Sequence, residues 1–219
     1  MLARLTEDAL ITLARNRDAA ACEALMRRYN RRLFRLVRAV LGNDAEAEDA
    51  LQDTYIHAFA ALGGFAGQSR VETWLTAIAL NEARDRLRRR RDTASLADIA
   101  ETELNDAMQQ HRPSVLDADP EEVAARAETR RLLERAIDEL SPNFRSVFVL
   151  RAVEQLSVHE TADTLGIPED TVKTRFHRAR ALLRRSLGEA VREAMPEVFA
   201  FDGERCDRIV AAVLKRLTL

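Results

Sequence analysis

From Thr171 to Arg185 every charged side chain is basic: Lys173, Arg175, Arg178, Arg180, Arg184 and Arg185. Ammonium and guanidinium groups at helical spacing bond phosphate oxygens and base edges, so the chemistry on offer is nucleic-acid recognition. Bond-making chemistry finds no comparable set. His159-Glu160 could begin a two-histidine zinc site, but position 163 is Asp, and no other ligand set appears. Neither a phosphate-cradling glycine loop nor a Ser or Cys nucleophile constellation is present. The sequence therefore predicts no catalytic residue, no metal site, no cofactor and no enzyme.

The elements around that basic row form a helix, a tight turn and a second helix. Ser157 with Glu160 is a capping-box start. Ala162 is small where two crossing helices approach, and Gly166 suits the left-handed residue that ends the first helix. Pro168 opens the second helix, with Glu169 and Asp170 at its positive end. A helix of this kind fits the DNA major groove. Taken alone, the stretch also reads as a solvated basic face on an ordinary helical hairpin.

The 219 residues hold one large or two small domains. A high charged fraction, scarce Gly and Pro, and much Ala, Leu and Arg favour an all-α protein. Net charge is −2, but the charges are segregated. Arg84, Arg86 and Arg88 to Arg91 form one basic block, and the second helix above forms another. Between the blocks, residues 92–122 are acidic, with Arg112 the single Lys or Arg against nine Asp and Glu. Cys22 and Cys206 show neither CxxC nor Cys/His spacing, which argues against zinc and a disulfide framework. The N-terminus lacks an apolar signal core, and no apolar run approaches membrane-spanning length. A cytoplasmic protein with reduced thiols is expected.

Upstream, periodicity predicts a helix from Thr6, a second over 19–41, a third over 45–62 and a fourth over 71–91. The second has Leu25, Met26, Tyr29, Leu33, Leu36, Val37 and Val40 inside, and Arg27, Arg28, Arg31, Arg32, Arg35 and Arg38 outside. Residues 92–122 read as a flexible linker, with transient helix around 95–108. Helices resume over 123–140 and from Ser141-Pro142 to about Glu154. Asp202-Gly203 breaks the tail, and Ile209, Val210, Val213, Leu214 and Leu217 form its apolar face.

Three further segments carry a family resemblance. They are Ala45-Glu-Ala-Glu-Asp-Ala-Leu-Gln-Asp-Thr-Tyr, then Phe65 through Thr73-Trp74-Leu75 with Asn81, and Leu140-Ser-Pro-Asn-Phe-Arg-Ser-Val-Phe-Val-Leu. With the helix-turn-helix, in this order and spacing over about residues 10–188, the chain resembles a bacterial sigma factor of the extracytoplasmic-function (ECF) group. The resemblance implies two small helical domains joined by the acidic linker. Sigma region two would occupy 1–91, the linker 92–122 and region four 123–188, leaving a C-terminal tail helix of unassigned role over 189–219. It implies a cytoplasmic subunit that brings core RNA polymerase to promoters and helps open DNA, with no membrane insertion. Its partners would be the polymerase clamp helices and flap, and promoter DNA. An anti-sigma factor is left open as a further partner.

The resemblance also assigns residues. Asp49, Gln52 and Asp53, with Phe59 on the same helix, would dock on the clamp helices, where carboxylates and an amide meet partner arginines. Phe65, Gln68, Ser69 and Asn81 would receive an unstacked base of the upstream-ten element. Ala66 and Gln68 depart from the commoner Arg and Asp of such loops, which puts base preference there in doubt. Trp74 reads as core rather than as a stacking platform. Arg84 and Arg88 would hold phosphates. Lys173, Thr174, Arg175, His177, Arg178 and Arg180 would serve the upstream-thirty-five element, with Val172 and Phe176 turned to the core. His177 is left open between stacking, phosphate contact and simple exposure. The linker would thread the polymerase cleft, a role that a plain solvated linker matches equally in sequence. The competing class is a stand-alone DNA-binding regulator, which leaves Asp49, Gln52, Asp53 and Phe65 to Trp74 without a task.

Overall fold

The computed structural model describes residues 6–67, 69–97, 120–186, 198–199 and 201–219, with side chains for 6–67, 69–90, 127–184, 198–199 and 201–219. The described residues are helical, with no strand among them. In chain order the helices are α1 (Glu7–Arg15), α2 (Ala19–Leu41), α3 (Asp44–Ala61), α4 (Val71–Ala97), α5 (Pro120–Asp138), α6 (Pro142–Phe148), α7 (Val158–Leu165), α8 (Glu169–Ser186) and α9 (Gly203–Leu217). A π-helical turn, Val149–Val153, continues α6.

Caps set most of the boundaries. Thr6, Asp18 and Asn43 each accept a backbone N–H at the start of α1, α2 and α3. Gly42 ends α2 in the left-handed region at φ 79°. The first bundle packs α2, α3 and α4 around Leu25, Leu33, Leu36, Leu51, Tyr55 and Leu80, each nearly or wholly buried. Side chains of this kind stabilise a fold by about 1.5–3 kcal/mol each when withdrawn from water. The second unit is the helix-turn-helix of α7 and α8 seated on α5 and α6, through Leu133, Ile137, Val147, Leu150 and Val172.

Several boundaries and faces differ from the sequence reading. Helix α4 runs on through Ala97, past the expected end at Arg91, because nothing between is a breaker: the stretch holds no Gly or Pro. Helix α5 starts at Pro120, where proline is tolerated in a first turn. Most of the 95–108 stretch lies outside the described residues. Arg35 and Arg38 are not on a solvated face; both are buried. The cause is tertiary: Phe199 lies under the Arg38 guanidinium, 4.5 Å from its ring centre, and offers its carbonyl to Arg35. Glu154 pairs with Arg35 at 3.0 Å, and Asp138 with Arg38 through both guanidinium ends, at 2.7 and 2.6 Å.

The tail is part of the first bundle. Asp202, expected as a break, is the N-cap of α9 and accepts from the Arg205 amide at 2.7 Å. Phe201 packs on Phe34 with ring centres 5.3 Å apart. Ile209 and Val213 are fully buried against α2 and α3. Cys206 is also buried, its sulfur accepting from Asn30 at 3.2 Å.

Candidate nucleic-acid and protein-docking surfaces

The helix-turn-helix is built by local signals. Ser157 Oγ accepts from the Glu160 amide, while the Glu160 carboxylate accepts from the Ser157 amide at 2.7 Å. Those bonds hold the Glu160 carboxyl below the usual carboxylate range. Gly166 takes φ 64°, and Ile167 N–H bonds the Ala162 carbonyl to close the turn. Val172 is fully buried and Phe176 half-buried on Phe148, which pins α8 and turns its other side outward.

On that outer side Lys173, Thr174, His177, Arg178 and Arg180 are all exposed, and Arg175 is half-buried. Thr174, Arg175 and Arg178 line a shallow groove with Ser141, Phe144 and Asp170. Lys173 pairs with Asp170 at 3.0 Å, and that bond raises the ammonium's affinity for its proton. Arg180 lies over the Phe176 ring at 5.8 Å, where cation–π attraction orients it. The result is an outward row of donors on α8 without a competing acid beyond the helix's first turn, suited to a polyanion groove.

The second surface is the loop before α4 and the helix itself. Phe65 packs on Trp74, ring centres 5.0 Å apart, and both are half-buried against the core. Arg15, unremarked in the sequence, bonds the carbonyls of Leu62 and Phe65 and so braces the loop from α1. Ser69 and Asn81 are exposed, and Gln68 lies outside the described residues. Arg84 donates to the Leu165 carbonyl at the end of α7, at 2.7 Å, and Arg88 pairs with Asp85 at 2.9 Å. Arg86 turns inward to Asp53 and Glu82, so of the basic block it serves the bundle.

The third surface is α3. Asp49 is exposed; Gln52, Asp53 and Phe59 are half-buried. Phe59 stacks on Tyr55 at 5.9 Å. Burial works to raise the Asp53 carboxyl, but Arg216 and Arg86 outweigh it and hold it below the usual range. Asp44 behaves alike between Arg38 and Arg205.

Sequence spacing also gave no sign of Arg145. Its buried guanidinium bonds the Ala39 carbonyl at 2.6 Å and the Asp138 carbonyl at 2.9 Å, and reaches the Val40 carbonyl at 3.4 Å. It thus caps the C-terminal end of α2 from the second unit, where a cation is favoured. Gly42 was the available signal, since a side chain there would strike Arg145.

Comparison with known proteins agrees with this geometry. Residues 25–93 match the family model of sigma-70 region 2, and residues 130–183 that of sigma-70 region 4. The chain is 35% identical over 161 residues to the ECF RNA polymerase sigma factor SigW of Bacillus subtilis, covering 73% of this chain and 84% of that protein. It is 30% identical over 198 residues to the RNA polymerase sigma-H factor of Pseudomonas aeruginosa, covering 89% of this chain and all (100%) of the other. Among solved structures it resembles the sigma factor RpoE in complex with the anti-sigma factor NepR from Bartonella quintana, with a TM-score of 0.56 and 25% identity. That likeness spans 72% of this chain and 91% of the other. CnrH in complex with the cytosolic domain of CnrY matches with a TM-score of 0.53 and 26% identity, over 81% and 94% of the two chains.

Proposed function

The chain belongs to the ECF RNA polymerase sigma factors, and on that premise we propose how its surfaces divide the work of initiation. As a sigma factor it directs core RNA polymerase to specific promoters and initiates transcription. In our reading the region-two unit spans 1–91 and the region-four unit 123–188, with 92–122 between them. The α8 row of Lys173, Thr174, Arg175, His177, Arg178 and Arg180 reads the upstream-thirty-five element, phosphates fixing register and base edges giving sequence. Phe65, Gln68, Ser69 and Asn81 receive a base of the upstream-ten element. Arg88 holds phosphate beside them, and Arg84 does so once it leaves Leu165. Asp49, Gln52, Asp53 and Phe59 dock on the polymerase clamp.

The chain works in the cytoplasm, where polymerase and promoter are, and no described helix is long and apolar enough to cross a membrane. It makes and breaks no bonds itself; chemistry belongs to the polymerase. An anti-sigma factor is the natural regulator in this reading, since the similar sigma factor RpoE is found in complex with the anti-sigma factor NepR.

The observation that carries the assignment is the outward row on α8, rigidly seated by a capping box and by buried Val172, in one chain with an acidic α3 face. Lys173→Ala with Arg178→Ala should lower transcription from a selected promoter roughly five- to 150-fold, as loss of one base contact worth about 1–3 kcal/mol implies. Co-elution with core polymerase should be retained. Asp49→Arg should do the reverse, because Asp49 is exposed and its replacement disturbs no ion pair of the bundle. Loss of polymerase binding in the α8 double variant would overturn the division of labour.

A further inference from the structure

Helix α9 presents arginines to the same helix that we read as the docking face. Arg205 pairs with Asp44 at 2.7 Å and Glu48 at 2.9 Å, Arg208 with Glu48 at 2.9 Å, and Arg216 with Asp53 at 2.7 Å. The pairs advance together along the two helices, so α9 runs beside α3 in the same direction. At 100° per residue, Glu48 and Asp53 bracket the arc of α3 that carries Gln52 and Asp49. Both edges of the arc are therefore held by α9 arginines. Arg86 adds a second cation to Asp53 from α4.

Two classes of contact hold α9, and they differ in how readily they exchange. Its inner face, with Ile209 and Val213 fully buried and Cys206 and Val210 nearly so, is core. Asp207 ties the same helix to Arg27 on α2 at 2.7 Å. Arg208 and Arg216, by contrast, are half exposed, at 50% and 49%. Such pairs form and break in water at little cost, and an arriving basic helix can replace them one for one.

We propose that α9 is a built-in competitor for the polymerase-docking face: Arg216 occupies Asp53 of that face, and Arg208 occupies Glu48 at its edge, where a basic partner helix would approach. The inference rests on the reading of α3 as that face. The helix stays seated through its apolar side while its outer arginines yield. The free chain thus binds core polymerase less tightly than the bare α3 surface would, and a change that draws off those arginines raises affinity with no movement of the bundle. An acidic segment of another protein, laid against the outer side of α9, would have that effect.

The test is the dissociation constant of the full-length chain for bacterial core polymerase, by fluorescence anisotropy of a labelled chain at moderate salt. Arg208→Gln with Arg216→Gln should bind roughly two- to tenfold more tightly, the scale of two exposed ion pairs released. Lys215→Gln, the same charge change as Arg216→Gln alone but at a neighbouring α9 position, should leave affinity within twofold of the parent. Arg216→Gln alone gives a smaller gain and serves if the double variant does not fold. Unchanged or weaker binding by both variants, while Asp49→Arg abolishes binding, would overturn the competitor and keep the docking face. An Asp49→Arg chain that binds normally would instead remove the docking face itself. Equal tightening by Lys215→Gln would also overturn the proposal, leaving only net charge as the cause.

Discussion

Gly42 and Arg145 lie in different units of the chain, yet each should set the energetic cost of changing the other. A Cβ built on Gly42 would sit 2.9 Å from both terminal nitrogens of Arg145 and 3.2 Å from the carbon between them. The guanidinium is the flexible end of its side chain, but it is not free to retreat, because it already serves the Ala39, Val40 and Asp138 carbonyls. Gly42→Ala therefore carries two separable costs. The left-handed backbone, at φ 79°, adds about 1–2 kcal/mol for a residue with a Cβ. Displacing the guanidinium from one charge-assisted bond adds about 1.5–3 kcal/mol. The substitution should destabilise the protein by about 2.5–5 kcal/mol in total. Arg145→Ala should cost about 1–3 kcal/mol for each buried carbonyl left without its donor, while the Asp138 carboxylate keeps Arg38. In the Arg145→Ala background the steric part disappears, and Gly42→Ala should cost only the backbone term, about 1–2 kcal/mol. Urea unfolding of the four proteins, followed by far-ultraviolet circular dichroism, gives the cycle directly. Equal cost of Gly42→Ala in both backgrounds, within about 0.5 kcal/mol, would refute the latch between the two units.

Acid should loosen the same charge network. Asp44 is held below its ordinary carboxylate range by Arg38 and Arg205 against the opposing effect of burial. A carboxyl more acidic folded than unfolded contributes its full stability above the unfolded pKa of about 3.9. That contribution is lost as pH falls on through the folded pKa. Asp44→Asn should lower stability at pH 7 and flatten the fall below about pH 4, read as urea midpoints across pH; an acid limb as steep as the parent's would exclude Asp44 as its source. Ser157→Ala removes the cap acceptor of α7 and should cost about 1 kcal/mol, lowering the melting temperature by a few degrees and weakening promoter binding while sparing polymerase binding. An unchanged melting temperature would show that the capping box contributes nothing to the helix-turn-helix.

The sequence alone determined the features written by neighbours along the chain. The bounds of α2 follow from Asp18, Gly42 and a 3.6-residue apolar period, and α7 from Ser157, Glu160 and Gly166. The outward basic row of α8 was legible for the same reason: on a single helix, spacing fixes the face, and Val172 fixes which face is inside. Family resemblance supplied the candidate roles of Asp49 and Phe65, which as isolated residues read as helix surface and loop. Tertiary structure alone decided the fate of Arg35, Arg38 and Arg145, and made α9 part of the first bundle. An arginine reads as solvated wherever its acceptors are remote in sequence, and Asp138 follows Arg38 by 100 positions. Spacing carries no record of such a partner, because only the packing of α5, α6 and α9 onto α2 brings the charges together and removes the water that would otherwise separate them.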